Sequence, residues 1–251
     1  MVPDASSLLV RLGDVAILLD VDGTLLDIAP TPQEVRMSAA LQSSLARLHV
    51  RTGGAVALVS GRTLADLDRL FAPLRLPMIG GHGAETRLSA DPDAPSTVAT
   101  ALSDELRRRL LALSGAGVVV EDKGYSIALH YRMAPEKSEI LASAVSAIIA
   151  GETRPIEMLP GKAVIEIKSS GFTKGTALRQ LMGHPPFMGR RPIFIGDDVT
   201  DEAAFAALRE FSGTGFSVGR RIPGVHGHFG APSDVRRWLE QISHAEEIAL
   251  P

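Results

Sequence analysis

Val15 to Leu19 is an almost unbroken apolar run that stops at Asp20. A run this short, with no polar alternate positions, suits a strand covered on both faces, as in a parallel sheet. Ala55–Val59, Pro77–Ile79 and Pro192–Ile195 repeat the pattern. The segments around them change period. Pro32–His49 places Val35, Leu41, Leu45 and Leu48 at helical spacing, and Thr63–Phe71, Thr173–Met182, Thr200–Leu208 and Ser233–Ile242 read the same way. Strand followed by helix, repeated, predicts an α/β domain built on a doubly wound parallel sheet.

The middle of the chain breaks this rhythm. Leu102–Leu113 reads as a helix, Gly117–Lys123 and Tyr125–Arg132 as strands, and Pro135–Ala150 as a helix with proline where it is tolerated. Arg154–Leu159 and Lys162–Lys168 follow as strands, with Pro160-Gly161 as the turn between them. The order α-β-β-α-β-β predicts an antiparallel sheet under two helices, inserted as a cap into the first domain. Turn-rich Asp91–Pro95 and Ser169–Gly171 mark its limits, dividing the chain into a core of 1–95 and 170–251 and a cap of 96–169, with Arg87–Pro95 and Ser169–Phe172 as the expected hinges.

Composition narrows the function. The chain has 251 residues and no cysteine, so disulfides, thiolate nucleophiles and zinc–thiolate sites are excluded. The formal net charge is −3 and aromatics are 4%, which argues against a nucleic-acid partner. No apolar run reaches the roughly 20 residues of a membrane span, and Met1–Leu12 lacks the pattern of a secretory leader. The expectation is a cytoplasmic monomer with no obligate protein partner.

Polar residues gather where the strands end, which is where open α/β sheets bind ligands. Asp20-Val21-Asp22-Gly23-Thr24 offers one carboxylate to attack an electrophile, a second to manage protons, and a glycine that lets backbone amides approach an anion. The same residues would also fit a polar loop closing a strand. Ser60-Gly61-Arg62 gives a hydroxyl and free amides before a helix, for an anion or as an ordinary N-cap. Lys174-Gly175 puts a cation at a helix N-terminus, against the macrodipole; it either pairs with phosphate and carboxylates or is a solvated surface lysine. Gly196-Asp197-Asp198-Val199-Thr200-Asp201-Glu202 packs four acids into six residues at an apolar strand's end, which points to a hard divalent ion such as Mg²⁺. Together they fit phosphoryl transfer through an aspartyl-phosphate, and no Walker-type loop is present.

In content and order these segments resemble the four motifs of haloacid-dehalogenase-like phosphatases, with their Rossmann-like hydrolase core. Within that group the chain is similar to the trehalose-6-phosphate phosphatases, through Leu19–Leu25, Ser60–Arg62, Gly81-His82-Gly83-Ala84-Glu85, Glu121-Asp122-Lys123, His130-Tyr131-Arg132, Gly161–Glu166, Lys174-Gly175 and Gly196–Glu202. The resemblance implies Asp20 as nucleophile, Asp22 as acid and then base, and Lys174 as a further catalytic group. It implies phosphate binding by Asp22, Gly23, Ser60, Gly61 and Lys174. It implies Mg²⁺ held by Asp20, the Asp22 carbonyl and Asp197, with Asp201 acting through water.

Strand parity gives the inserted sheet an apolar face with Ile127, Leu129, Ala163, Ile165 and Ile167. Its other face carries Glu121, Lys123, His130, Arg132, Lys162, Glu166 and Lys168. A face of mixed charge suits a polyhydroxylated sugar, and equally a solvated surface. The resemblance implies disaccharide contacts from Glu121, Lys123, Lys162 and Glu166, and from His82 and Gly83 in the core. It leaves His130, Arg132 and Asp198 without a role, and His226 and His228 read as loop residues. The implied reaction is hydrolysis of trehalose 6-phosphate. The alternative is another sugar phosphate, such as sucrose 6-phosphate or a glycosylglycerate phosphate, on the same core.

Overall fold

The computed structural model describes residues 9–28, 35–161, 163–245 and 247–250. Their strands and helices run β1 (Leu9–Arg11), β2 (Val15–Leu19), α1 (Ala39–Arg51), β3 (Val56–Val59), α2 (Leu64–Phe71), β4 (Met78–Gly80), β5 (Glu85–Arg87), β6 (Ser96–Val98), α3 (Asp104–Leu111), β7 (Val119–Asp122) and β8 (Ser126–His130). They continue as α4 (Ser138–Ile149), β9 (Ile156–Gly161), β10 (Val164–Ser169), α5 (Lys174–Met182), β11 (Arg191–Gly196), α6 (Glu202–Leu208), β12 (Thr214–Val218), β13 (Gly227–Phe229), α7 (Pro232–Ile242) and β14 (Glu247–Ala249). The chain forms two compact units, Met1–Thr97 with Thr173–Pro251, and Val98–Phe172.

The first unit is built on a sheet of order β13-β12-β11-β2-β3-β4-β5-β6. From β13 to β4 every pairing is parallel, and β5 adds antiparallel to β4. All five positions of β2 are buried. Val15, Ile17 and Leu19 join a core with Leu41, Leu45 and Leu48 of α1, Leu67 of α2 and Val235, Trp238 and Leu239 of α7. Ala16 and Leu18 face the opposite core, with Ala177, Leu178 and Leu181 of α5 and Ala204 and Leu208 of α6. The period of two in β2 therefore divides the helices between the two faces. The chain leaves β2 for β3 on one side, while β11 pairs on the other. The ends of β2 and β11 thus form the switch point where such sheets bind ligands.

The second unit holds one antiparallel sheet, β7-β8-β10-β9, with α3 and α4. Ile127, Leu129, Ile165 and Ile167 pack with Leu106 and Leu110 of α3 and Leu141 and Val145 of α4.

Several boundaries differ from the expected ones. Helix α1 starts at Ala39, because Ser38 accepts from Leu41 N at 3.2 Å and caps it. Residues 32–34 of that expected helix lie outside the described residues. Helix α2 is capped by Thr63, which accepts from Asp66 N at 3.1 Å, so Ser60 is not an N-cap. The reversal between β9 and β10 falls beyond Pro160-Gly161: Gly161 pairs with Val164, and Ala163 takes a left-handed φ of 59°. His228 belongs to β13 and not to a loop.

Candidate active site

The site begins where β2 ends. Asp20 N donates to Ile195 O at 2.9 Å, carrying the β2–β11 ladder one residue further and fixing a buried carboxyl at the switch point. The chain then folds back: Gly23 N donates to Leu26 O at 2.8 Å and Leu25 N to Val21 O at 3.0 Å. Gly23 has φ +84°, and a Cβ there would lie 2.2 Å from Asp197 Oδ2, so only glycine fits between this turn and the acidic loop.

Lys174 is a buried ammonium, 3% exposed, and not a surface lysine. Thr173 caps α5 and leaves Lys174 as its first residue. Its Nζ donates to Asp20 Oδ1 at 2.7 Å and to Asp201 Oδ1 at 2.6 Å. Burial alone would lower its pKa, but the Asp20 and Asp201 charges outweigh it and hold the amine protonated, above its ordinary range. Burial pushes the Asp20 carboxyl well up; Lys174 opposes this, while Asp201 and Asp197 add to it. Burial and Asp201 likewise push Asp197 up.

This electrostatic imbalance tests the fit of a metal. Asp20, Asp197 and Asp201 each offer an oxygen within 4.8 Å of the others. Three carboxylates face one ammonium, a deficit that a divalent cation matches, and an all-oxygen donor set is the kind Mg²⁺ takes. The three acids do not stand alike. Asp201 Oδ2 accepts from the N–H groups of Asp197 and Asp198, both at 2.9 Å, and its Oδ1 accepts from Lys174. Asp201 therefore braces the loop, which leaves Asp20 and Asp197 the freer donors. Asp198 accepts from Val199 N at 2.7 Å and caps the short turn Val199–Asp201.

Asp22 has a partner that sequence reasoning gave no role. Arg62 Nε donates to its Oδ2 at 2.7 Å and Nη2 to its Oδ1 at 2.6 Å, a two-pronged clasp across 40 residues of sequence. The hydrogen bond to Asp22 raises the Arg62 pKa further. The available signal was Arg62's position directly after the candidate phosphate loop. Ser60, at the end of β3, is buried, and its Oγ accepts from Arg62 N at 3.1 Å. His82 and Gly83 lie in the short turn Gly81–Gly83 after β4, in the same unit as Ser60 and Lys174.

In the second unit, Glu121, Ala128 and Glu166 are register partners in one row across β7, β8 and β10. Ser126 and Lys168 form the next row on the same face. Ser126 Oγ donates to Glu166 Oε1 at 2.8 Å. Lys123 Nζ lies 3.8 Å from Glu166 Oε1 and 4.0 Å from Glu121 Oε1. His130 Nε2 lies 3.2 Å from Glu121 Oε2. That contact, then Lys123, lowers the Glu121 pKa against the effect of burial, so the carboxylate stays ionised. The face thus brings Glu121, Lys123 and Glu166 together. Lys162 lies outside the described residues.

A family model described as trehalose-phosphatase matches residues 18–226. The chain is 41% identical over 222 residues to a probable trehalose-phosphate phosphatase of Sinorhizobium fredii, covering 87% of this chain and 83% of that one. It is 36% identical over 230 residues to the trehalose-6-phosphate phosphatase of Escherichia coli, covering 90% and 85%. Among solved structures, a trehalose-6-phosphate phosphatase related protein superposes with a TM-score of 0.70 at 27% identity, covering 91% of this chain and 96% of that one. The C-terminal domain of the Candida albicans trehalose-6-phosphate phosphatase gives 0.76 at 20% identity, covering 92% of each chain, and shows the shared fold.

Proposed function

Since this chain belongs to the trehalose-phosphatase family of phosphatases, we propose that it hydrolyses trehalose 6-phosphate to trehalose and inorganic phosphate, with Mg²⁺ and through a phosphorylated Asp20. The observation that carries the mechanism is the triad Asp20–Lys174–Asp201, closed at 2.7 and 2.6 Å in a buried site beside Asp197.

Asp20 attacks phosphorus, and the bond from phosphorus to the sugar oxygen breaks. Asp22 gives the departing alkoxide its proton. Asp22 then takes a proton from water, the water oxygen attacks phosphorus, and the acyl-phosphate bond breaks to return the Asp20 carboxylate and release phosphate. Lys174 favours the ionised form of Asp20 against burial and offers positive charge to the phosphoryl oxygens. Ser60 and the amide of Gly61 hold the same oxygens; Gly23, expected among the phosphate ligands, instead spends its N–H on Leu26 O and shapes the turn. Asp20 and Asp197, with the Asp22 carbonyl, would hold Mg²⁺, and Asp201 would act through water. When bound, the ion supplies charge neutralisation for the phosphoryl group.

For the sugar we assign Glu121, Lys123, Lys162 and Glu166 of the inserted unit, whose role is substrate choice. Carboxylates and an ammonium arrayed on one sheet face match the hydroxyls of a disaccharide. The test is phosphate release from a panel of sugar 6-phosphates with Mg²⁺, against EDTA and Asp20→Asn controls. Preference for trehalose 6-phosphate supports the assignment. Preference for sucrose 6-phosphate or a glycosylglycerate phosphate would keep the chemistry and replace the substrate.

A further inference from the structure

We propose that His82 and Gly83 are positioning residues that set the spacing between the phosphate loop and Lys174, a role separate from any contact with the sugar. The inference rests on the phosphatase reading but not on which sugar is cleaved.

The turn Gly81–Gly83 is tied to the phosphate loop on one side. Gly81 N donates to Arg62 O at 2.8 Å and His82 N to Ser60 O at 3.0 Å, so both carbonyls flanking Gly61 are spoken for by this turn. His82 has a left-handed φ of 55°. Its ring lies against Gly61, where a Cβ would come within 2.3 Å of His82 Nε2 and 2.4 Å of Cε1. Just beyond the turn, Glu85 Oε2 accepts from Leu64 N at 2.7 Å, in the first turn of α2.

On the other side the turn meets α5. Gly83 has φ +109°, and a Cβ there would lie 2.3 Å from Thr173 O, 2.5 Å from its carbonyl carbon and 3.1 Å from its N. These are backbone atoms, so nothing flexible can give way. Thr173 is the N-cap of α5, and its O accepts from Ala177 N at 3.1 Å as part of the helix's first turn. The residue touched is thus the one directly before Lys174. Gly61 and Thr173 are held apart by two consecutive residues in backbone conformations that L side chains rarely adopt. The spacer joins the amides that would hold phosphate to the ammonium that contacts Asp20. A shift of one element against the other would misplace the two halves of the anion site, whatever the leaving group.

The test compares Gly83→Ala and His82→Asn with the wild type on trehalose 6-phosphate and on p-nitrophenyl phosphate, which has no sugar. Inorganic phosphate binding is followed by calorimetry, and circular dichroism and Tm confirm folding. A misplacement of about 1 Å should lower kcat for Gly83→Ala on the order of 10²-fold on both substrates alike. KM for trehalose 6-phosphate should stay within about threefold, and phosphate binding should weaken. His82→Asn keeps a backbone that asparagine tolerates at positive φ but takes the ring off Gly61; it should show the same pattern more mildly, and it carries the test if Gly83→Ala does not fold. A loss confined to trehalose 6-phosphate, or intact phosphate binding with unchanged kcat, overturns the proposal. If the wild type cleaves the aryl phosphate but not trehalose 6-phosphate, the substrate reading fails, and the aryl kinetics and phosphate titration still decide this one.

Discussion

The ammonium of Lys174 and the carboxylate of Asp20 meet at 2.7 Å across 154 residues of sequence, both out of contact with bulk water. Removing the cation leaves Asp20 and Asp201 as buried like charges. Lys174→Met keeps the bulk and should abolish turnover. In metal-free buffer it should cost about 3–5 kcal/mol of stability, as for other buried pairs that lose one partner. Urea denaturation and phosphate release check both; a stable, active Lys174→Met would remove the lysine from the account.

Arg62 clasps both oxygens of Asp22, and a lysine cannot reproduce that fork. Arg62→Lys should lower kcat on trehalose 6-phosphate on the order of tenfold, because Asp22, the proposed acid for the sugar oxygen, is less well held. p-Nitrophenyl phosphate, whose leaving group needs no proton, should suffer less. An equal loss on both substrates would show that Arg62 serves the phosphate and not Asp22.

The proposed sugar face can be tested separately from the chemistry. Glu166→Ala should reduce kcat/KM for trehalose 6-phosphate by about 10- to 100-fold, the usual effect of losing a charged hydrogen bond. The aryl phosphate should be spared. If both substrates decline together, Glu166 is not a ligand for the sugar.

Arg87 is buried and grips Asp68 through two hydrogen bonds, 2.8 and 2.7 Å, that tie β5 to α2 beside the phosphate loop. The bond from Arg87 lowers the Asp68 pKa, with burial opposing and the Arg87 and Arg75 charges assisting. A folded-state pKa below the unfolded value of about 3.9 means the stabilisation is fully present above that value. It is lost as pH falls through the folded one. The stability gap between wild type and Asp68→Asn should therefore be constant near neutrality and close in acid. Denaturation curves from pH 7 down to 3 would show it; a gap that persists in acid contradicts the pairing.

Much of this was legible in the sequence, for reasons visible in particular residues. Val15 to Leu19 has no polar alternate, so it had to be covered on both sides, and its odd and even positions do face separate cores. The strands β1, β5, β6, β13 and β14 have three residues each, too few to show a period. The clasp of Arg62 on Asp22 was hidden because two strand ends, 40 residues apart, meet only through the parallel pairing of β2 and β3. For Lys174, sequence showed a cation at the wrong end of a helix but not the two carboxylates that reward it. The Gly81–Gly83 segment could be located but its packing could not be read, since it bonds to the backbone oxygens of Ser60 and Arg62 and closes on the backbone of Thr173, which leaves no mark in side-chain chemistry.

On the proposed mechanism, Asp20 carries the phosphoryl group from trehalose 6-phosphate. The direct measurement is to quench the Mg²⁺-loaded enzyme with acid during turnover, reduce with borohydride and map the peptides by mass spectrometry. An acyl-phosphate at Asp20 would be read as homoserine at position 20, present with trehalose 6-phosphate and absent without it. Sustained turnover with no modification there, or an Asp20→Asn variant that still releases phosphate, would rule out Asp20 as the nucleophile.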